Sequence, residues 1–254
     1  MSLDLPPDVA RPSTLGGPLH ENSDRSWQKI GSVRGLRYRV AKEPAPRPAS
    51  QVQAVENYGL VGDRHAHMHS PRQLLIASED AYQRFDLPEA VLRENLLVDS
   101  PTRALCSGNL LRIGRDVVLW LTFHCEPCSL LDRHSPGILK TIGLHRGMLA
   151  RVLRGGTMRN GDEISLARSS IPTMSNDWDA RVLNVVRAVP TGQYITYRQL
   201  ADLAGVATAY CRAFPRVLSR LPPEVASRAR GAANSLPGPQ WSGSELFDVR
   251  AHFG

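Results

Sequence analysis

The sequence predicts a mainly β N-terminal domain of closed or nearly closed barrel type, followed by a small helical C-terminal domain with a helix-turn-helix. Three observations predict it. Over residues 30–168, short alternating or β-branched runs are each closed by Gly, Asn-Gly or Asp, as strands joined by tight turns are. A stretch rich in Ser, Pro, Asn and Asp then breaks all periodicity, making residues 169–177 a linker with the boundary near residue 172. Beyond it Val182, Val185, Val186 and Val189 recur at helical spacing.

Taken in order, residues 1–29 carry Pro, Gly and Ser with no apolar period and read as a flexible lead-in. Strand-like pieces follow at GSVRGLRYRV, QVQAVENYGLVGD, RQLLIAS, ENLLVDS, NLLRIGRDVVLWLTFH and ARVLRGGTMRNGDEISL. A short helix is expected at SEDAYQRF, where Ser78 can cap and Glu79 and Asp80 favour the positive end of the dipole. A second is expected around SPGILKTIG. In the C-terminal part, residues 178–254, one helix should end at Pro190, a second at Gly205, and a third should span AYCRAFPRVLSRLP. Three short helices with a Gly turn between the last two suit a helix-turn-helix.

At 254 residues, with 42% hydrophobic and 22% charged residues, the chain has the composition of an ordinary globular protein of one large or two modest domains. No apolar run approaches the roughly 20 residues a membrane helix needs, and the start lacks the basic-then-apolar order of a signal peptide. A cytoplasmic location and no membrane partner are expected. Four cysteines are too few for a disulfide framework and read as thiols. The net charge of +7 and a pI near 9.6 favour an anionic partner, and arginine recurs beyond residue 178, where acidic residues are sparse.

The chemistry is expected at His124-Cys125-Glu126-Pro127-Cys128. A C-x-x-C pair can hold a metal, form a reversible disulfide, or act as nucleophile and resolving partner. A second cysteine pair for zinc is absent, and a mixed site borrowing His65, His67 or His69 does not match zinc-ligand spacing. Burial as small hydrophobes is the alternative for the two cysteines. Glu126 and Pro127 argue against it, since they break a regular strand and put the thiols on a bend.

The ordered series GLVGDRHAH, RQLLIASED, LRENLLV, GNLLRIG, CEPC and RGMLARVLRGGTMRNGDEI resembles the MOSC family, named for the C-terminal domain of molybdenum-cofactor sulfurase. The likeness covers about residues 30–168. It implies a β-barrel-like domain whose recurring cysteine, here Cys128, carries sulfur as a persulfide or binds the molybdenum of a pterin cofactor. His124, Arg133 and His134 are near enough in sequence to supply positive charge, and Cys125 can resolve a Cys128 persulfide. Asp63 and His65 match the family's G-x-x-G-D-x-H turn, and Glu94 and Asn95 its E-N pair; either they line the pocket or they shape turns and cap strands. Arg72, His65 and Arg146 are expected in the pocket; His67 and His69 are expected to face solvent.

RVLNVVRAVPTGQYITYRQLADLAGV, CRAFPRVLSRLP and a looser ANSLPG and ELFDVRAHFG resemble a second family, the O6-alkylguanine-DNA alkyltransferases. That likeness implies a winged helix-turn-helix with Tyr197 and Arg212 at the base-turning positions. The alkyl-acceptor cysteine is missing, because its place reads SRARGAANS, and Cys211 does not replace it.

Three functions remain open. One is a sulfurtransferase or sulfur carrier, independent of pyridoxal phosphate, supplied by a cysteine desulfurase or a small sulfur-containing substrate. Another is a molybdenum-cofactor-dependent reductase of N-hydroxylated substrates. The third is a DNA-binding regulatory or repair-associated protein whose barrel senses a thiol or a metal.

Overall fold

The computed structural model describes residues 26–41, 43, 45–169, 171–231 and 238–249. Most of the lead-in, part of ANSLPG and the terminal Arg250 to Gly254 lie outside the described residues.

Eleven strands form the first part: β1 (Gln28–Tyr38), β2 (Arg47–Ala49), β3 (Gln51–Val55), β4 (Gly59–Leu60), β5 (Leu74–Ser78), β6 (Leu96–Val98), β7 (Leu110–Ile113), β8 (Val117–His124), β9 (Met148–Arg154), β10 (Gly156–Arg159) and β11 (Glu163–Ala167). A sheet in the order β11-β7-β8-β9-β5-β6-β1 closes on itself because β1 also pairs with β11, giving a seven-stranded barrel. Within the barrel the long β1 pairs with β11 through Gln28–Ser32 and with β6 through Val33–Leu36, and shifts register at Lys29/Gly31 and Val33/Gly35. Gly31 makes one bend possible, since a Cβ there would sit 2.1 Å from the Asp99 carboxylate. β2 extends β1 at its end, and β10, β3 and β4 form a second small sheet.

Strands alternate their side chains between faces. Val117, Leu119 and Leu121 of β8, with Met148, Ala150 and Val152 of β9, point into the barrel core alongside Val33, Leu36, Leu74 and Ile76. The other face of β8 is also buried: Val118 and Trp120 join Leu110 and Leu153 in a separate core made with the C-terminal helices. That double covering explains why VVLWLTFH is apolar throughout rather than alternating.

The C-terminal unit comprises α3 (Trp178–Ala188), β12 (Ile195–Thr196), α4 (Tyr197–Ala204), α5 (Phe214–Leu218), α6 (Pro223–Ala226) and β13 (Ala229–Arg230); in the barrel part, α1 is Glu79–Phe85 and α2 Ser129–His134. Of the expected valine stripe, Val182, Val185 and Val186 lie on the buried face of α3, and Val189 is the extended residue that ends it. Gly205, left-handed at φ 64°, ends α4, as the Gly turn requires. No described helix is long and apolar enough to cross a membrane.

Several local expectations change. Ser78 precedes α1, but its hydroxyl bonds the Asp80 carboxylate instead of capping the backbone. SPGILKTIG forms only a 3-10 turn at Ile138–Lys140, because Pro136 and the left-handed Gly137 leave too short a run. The expected third C-terminal helix divides into a 3-10 turn, Thr208–Ala213, and α5, which begins at the Phe214-Pro215 step where proline suits a helix start.

Candidate functional site

β8 ends at His124, and Cys125 to Cys128 then run without regular structure into α2. Side-chain alternation continues for one residue past the strand. Cys125 falls on the same side as Phe123 and packs with Phe123, Leu75 and Leu149, 5% exposed. Its N–H donates to the Gly147 carbonyl at 2.9 Å, tying the loop to the start of β9. Cys128 is exposed, in extended conformation at the start of α2. The C-x-x-C pair thus holds one accessible and one enclosed thiol: the bend exposes Cys128 as expected, but Cys125 is buried as a small hydrophobe, contrary to the expectation drawn from Glu126 and Pro127.

Two arginines flank the enclosed one, and a histidine lies beside them. Arg72 places Nη2 at 3.6 Å from Cys125 Sγ, while its Nη1 donates to Glu126 Oε2 at 3.3 Å and to the Gly205 carbonyl at 2.9 Å. Arg39 is close enough to Cys125 to interact electrostatically. His65 lies among Arg39, Arg64 and Arg72. Enclosure of its ring together with those positive charges pulls its pKa down to about 4, against an opposing pull from Asp63, although the residue as a whole remains exposed.

Asp63, Glu94 and Asn95 are buried, and their polar atoms are taken by neighbours. Asp63 accepts from the backbone N–H of Arg39 at 2.8 Å, from that of His65 at 2.8 Å and from the Asn95 amide at 2.7 Å. Asn95 Oδ1 accepts from Arg39 Nη2 at 2.9 Å and from the Leu75 N–H at 3.0 Å. Glu94 accepts from Arg37 at 2.7 Å and from the Tyr82 hydroxyl at 2.6 Å, so burial and the adjacent carboxylate drive the Tyr82 pKa upward. These are the contacts of turn-shaping residues: they aim Arg39 and His65 rather than offering free groups to a pocket.

His124 is buried, with Nε2 on the Leu105 carbonyl at 3.1 Å and Nδ1 without a hydrogen bond; burial lowers its pKa. Arg146, in the 3-10 turn Gly143–Arg146, is 6% exposed, and its Nε and Nη1 have no hydrogen-bond partner. An enclosed guanidinium without a partner is costly and suits an anion that completes it. The next residue, Gly147, is the one that accepts from Cys125 N–H, so the segment carrying Arg146 is bonded directly to the cysteine loop.

Arg133 and His134 are exposed on α2. His67 is exposed and His69 half-buried, their rings edge to face at 5.7 Å. Among the described residues no three His, Cys, Asp or Glu side chains are grouped as a metal ion would need. Tyr197 and Arg212 belong to the C-terminal unit: Tyr197 is half-buried with its ring on Phe214 at 5.5 Å, whereas Arg212 is exposed in the turn before α5.

Arg39 and Arg181 enter the site without having been singled out. Arg181 is fully buried on α3, with Nη2 on Glu126 Oε1 and its guanidinium 3.6 Å from the centre of the Phe123 ring. Arg39 could have been suspected, because three arginines in the strand run RGLRYRV are unusual in a barrel wall. Nothing in the local sequence marks Arg181, whose partner lies 55 positions away.

Residues 60–165 match the model of the MOSC domain family. Among solved structures, the YuaD protein of Bacillus subtilis is similar at 18% identity and TM-score 0.48, covering 56% of this chain and 99% of that one. YiiM of Escherichia coli is similar at 18% identity and TM-score 0.43, covering 75% and 94%. YiiM of Geobacillus stearothermophilus is similar at 14% identity and TM-score 0.42, covering 76% and 99%. No curated protein matches the sequence.

Proposed function

We propose that this chain, which carries a MOSC domain at residues 60–165 and so belongs with sulfur- and molybdenum-cofactor-related chemistry, handles sulfur through the Cys128 thiol. The observation that carries the reading is the division of the C-x-x-C pair: Cys128 open to a partner, Cys125 enclosed beside Arg72. In the proposed step the Cys128 thiolate attacks the outer sulfur of a donor persulfide. The donor S–S bond breaks, its electron pair leaves on the donor thiolate, and Cys128 becomes a persulfide. An acceptor nucleophile then takes the outer sulfur and releases the Cys128 thiolate. Without an acceptor, the Cys125 thiolate attacks Cys128 Sγ and expels hydrosulfide, and a thiol reductant resets the disulfide. Arg72 and Arg39 lie beside Cys125, with His65 next to the two arginines, and Arg146 offers an uncommitted positive charge to an anionic donor or acceptor. Incubation with a cysteine desulfurase and cysteine should add one sulfur, seen by mass spectrometry. Loading unchanged in Cys128→Ala refutes the assignment.

Arg146 also favours a second reading, a molybdenum-pterin reductase of N-hydroxylated substrates. The donor set fits: one accessible thiol for a soft metal, and an unpartnered buried guanidinium for an anionic tail. When bound, the cofactor would supply two-electron chemistry, with Cys128 holding the metal and Arg146 the tail. Molybdenum and pterin analysis of protein from a cofactor-competent host separates the two readings. A DNA-contacting role for the C-terminal unit is a further proposal, resting on its exposed arginines.

A further inference from the structure

Arg181 comes from outside the matched MOSC segment yet sets the geometry of the cysteine loop. Each of its three nitrogens is engaged: Nε on the Ala204 carbonyl at 2.8 Å, Nη1 on the Ser175 and Asn176 carbonyls at 2.9 and 2.8 Å, and Nη2 on Glu126. The side chain is 1% exposed, so its charge depends on Glu126 for neutralisation. Glu126 divides its two oxygens between domains, Oε1 to Arg181 and Oε2 to Arg72. Arg72 in turn is held by Gly205 of the C-terminal unit through the same Nη1 and reaches Cys125 Sγ with Nη2. A third tie runs from the His124 N–H to Asn176 Oδ1 at 2.9 Å. The line Arg181, Glu126, Arg72, Cys125 therefore crosses from the helical unit to the enclosed thiol without a gap.

We infer that Glu126 and Arg181 are positioning residues for the thiol pair, and that the helical unit is a working part of the barrel site rather than an appended module. Its relevance to sulfur chemistry rests on the reading given above; the coupling itself does not. Removing either partner loosens the Glu126-Pro127 bend and weakens the hold on Arg72, which keeps its bond to the Gly205 carbonyl, so the enclosed thiol becomes more accessible.

The test measures iodoacetamide alkylation of each cysteine in the full-length protein by peptide mass spectrometry, for wild type, Glu126→Gln, Arg181→Met, the double variant and Arg181→Lys. Cys125 alkylation is expected to rise about tenfold or more in each of the first two. The double variant should exceed neither, because both cut the same line. Arg181→Lys, which keeps the charge but not the fork, should fall between. Cys106, exposed and not part of the line, serves as the internal control. Rates at Cys125 within twofold of wild type in Glu126→Gln, or effects that multiply in the double variant, overturn the inference. Should Arg181→Met not fold, Glu126→Gln decides alone. Alkylation needs no sulfur donor, so a failure of persulfide loading leaves this result standing, and the reverse also holds.

Discussion

Asn95 donates its side-chain amide to the Asp63 carboxylate at 2.7 Å, joining two segments 32 positions apart in sequence. Through this bond the turn bearing His65 and the segment after α1 are fixed to each other and to Arg39. Asp63→Ala strips the partner from the Arg39 and His65 backbone N–H groups, the Asn95 amide and Arg39 Nε, and should cost about 3 kcal/mol in urea unfolding, by the penalty for groups left unsatisfied. Asn95→Ala should cost about as much, and the pair should be strongly non-additive.

Acid should weaken the fold through two histidines. The His65 pKa is held at about 4 by ring enclosure and by Arg39, Arg64 and Arg72, against about 6.5 in an unfolded chain; His124 is lowered by burial. A depressed folded pKa means that the unfolded chain takes up protons the folded one refuses. Stability is therefore full above about pH 6.5 and is lost as pH falls toward 4. Urea midpoints at pH 7.5 and 5.0 should differ less in His65→Gln than in wild type, with the carboxylate background common to both.

Gly205 is where the helical unit presses on the barrel. Its φ of 64° disfavours any side chain, and a Cβ would stand 2.7 Å from Pro71 Cγ and 2.8 Å from Phe123 Cζ. Gly205→Ala should lower stability by about 2 kcal/mol and raise Cys125 alkylation. A melting temperature equal to wild type would show that the contact is looser than described.

Arg212 is exposed while Tyr197 is half-buried on Phe214, so of this pair the arginine is the one open to phosphate. If the helical unit meets DNA, an electrophoretic shift at low salt should appear, weaken steeply as salt rises, and diminish in Arg212→Ala. No complex at low salt removes the DNA reading.

Much of the barrel was legible because its strands are short, alternating and punctuated by Gly and Asn-Gly turns. The bend at the end of β8 was legible from Glu126 and Pro127. What separated Cys125 from Cys128 was not, since it depends on strand alternation running one residue past His124 and on α2 starting at Ser129. The contact line from Arg181 to Glu126 was also hidden: a long-range ion pair leaves no periodic trace. Helix lengths failed where proline intervened, at Pro136 and Pro215, because a local apolar pattern does not report a broken hydrogen-bond ladder.

The most direct test of the account is where sulfur settles. The protein is charged with a cysteine desulfurase and cysteine, trapped with an alkylating reagent and mapped by peptide mass spectrometry, beside Cys128→Ala and Cys125→Ala. The extra sulfur is expected on Cys128, is expected to be lost in Cys128→Ala, and is expected to survive longer in Cys125→Ala, where no resolving thiol remains. Sulfur trapped on Cys125 or Cys106 instead, or equal loading in Cys128→Ala, would contradict it.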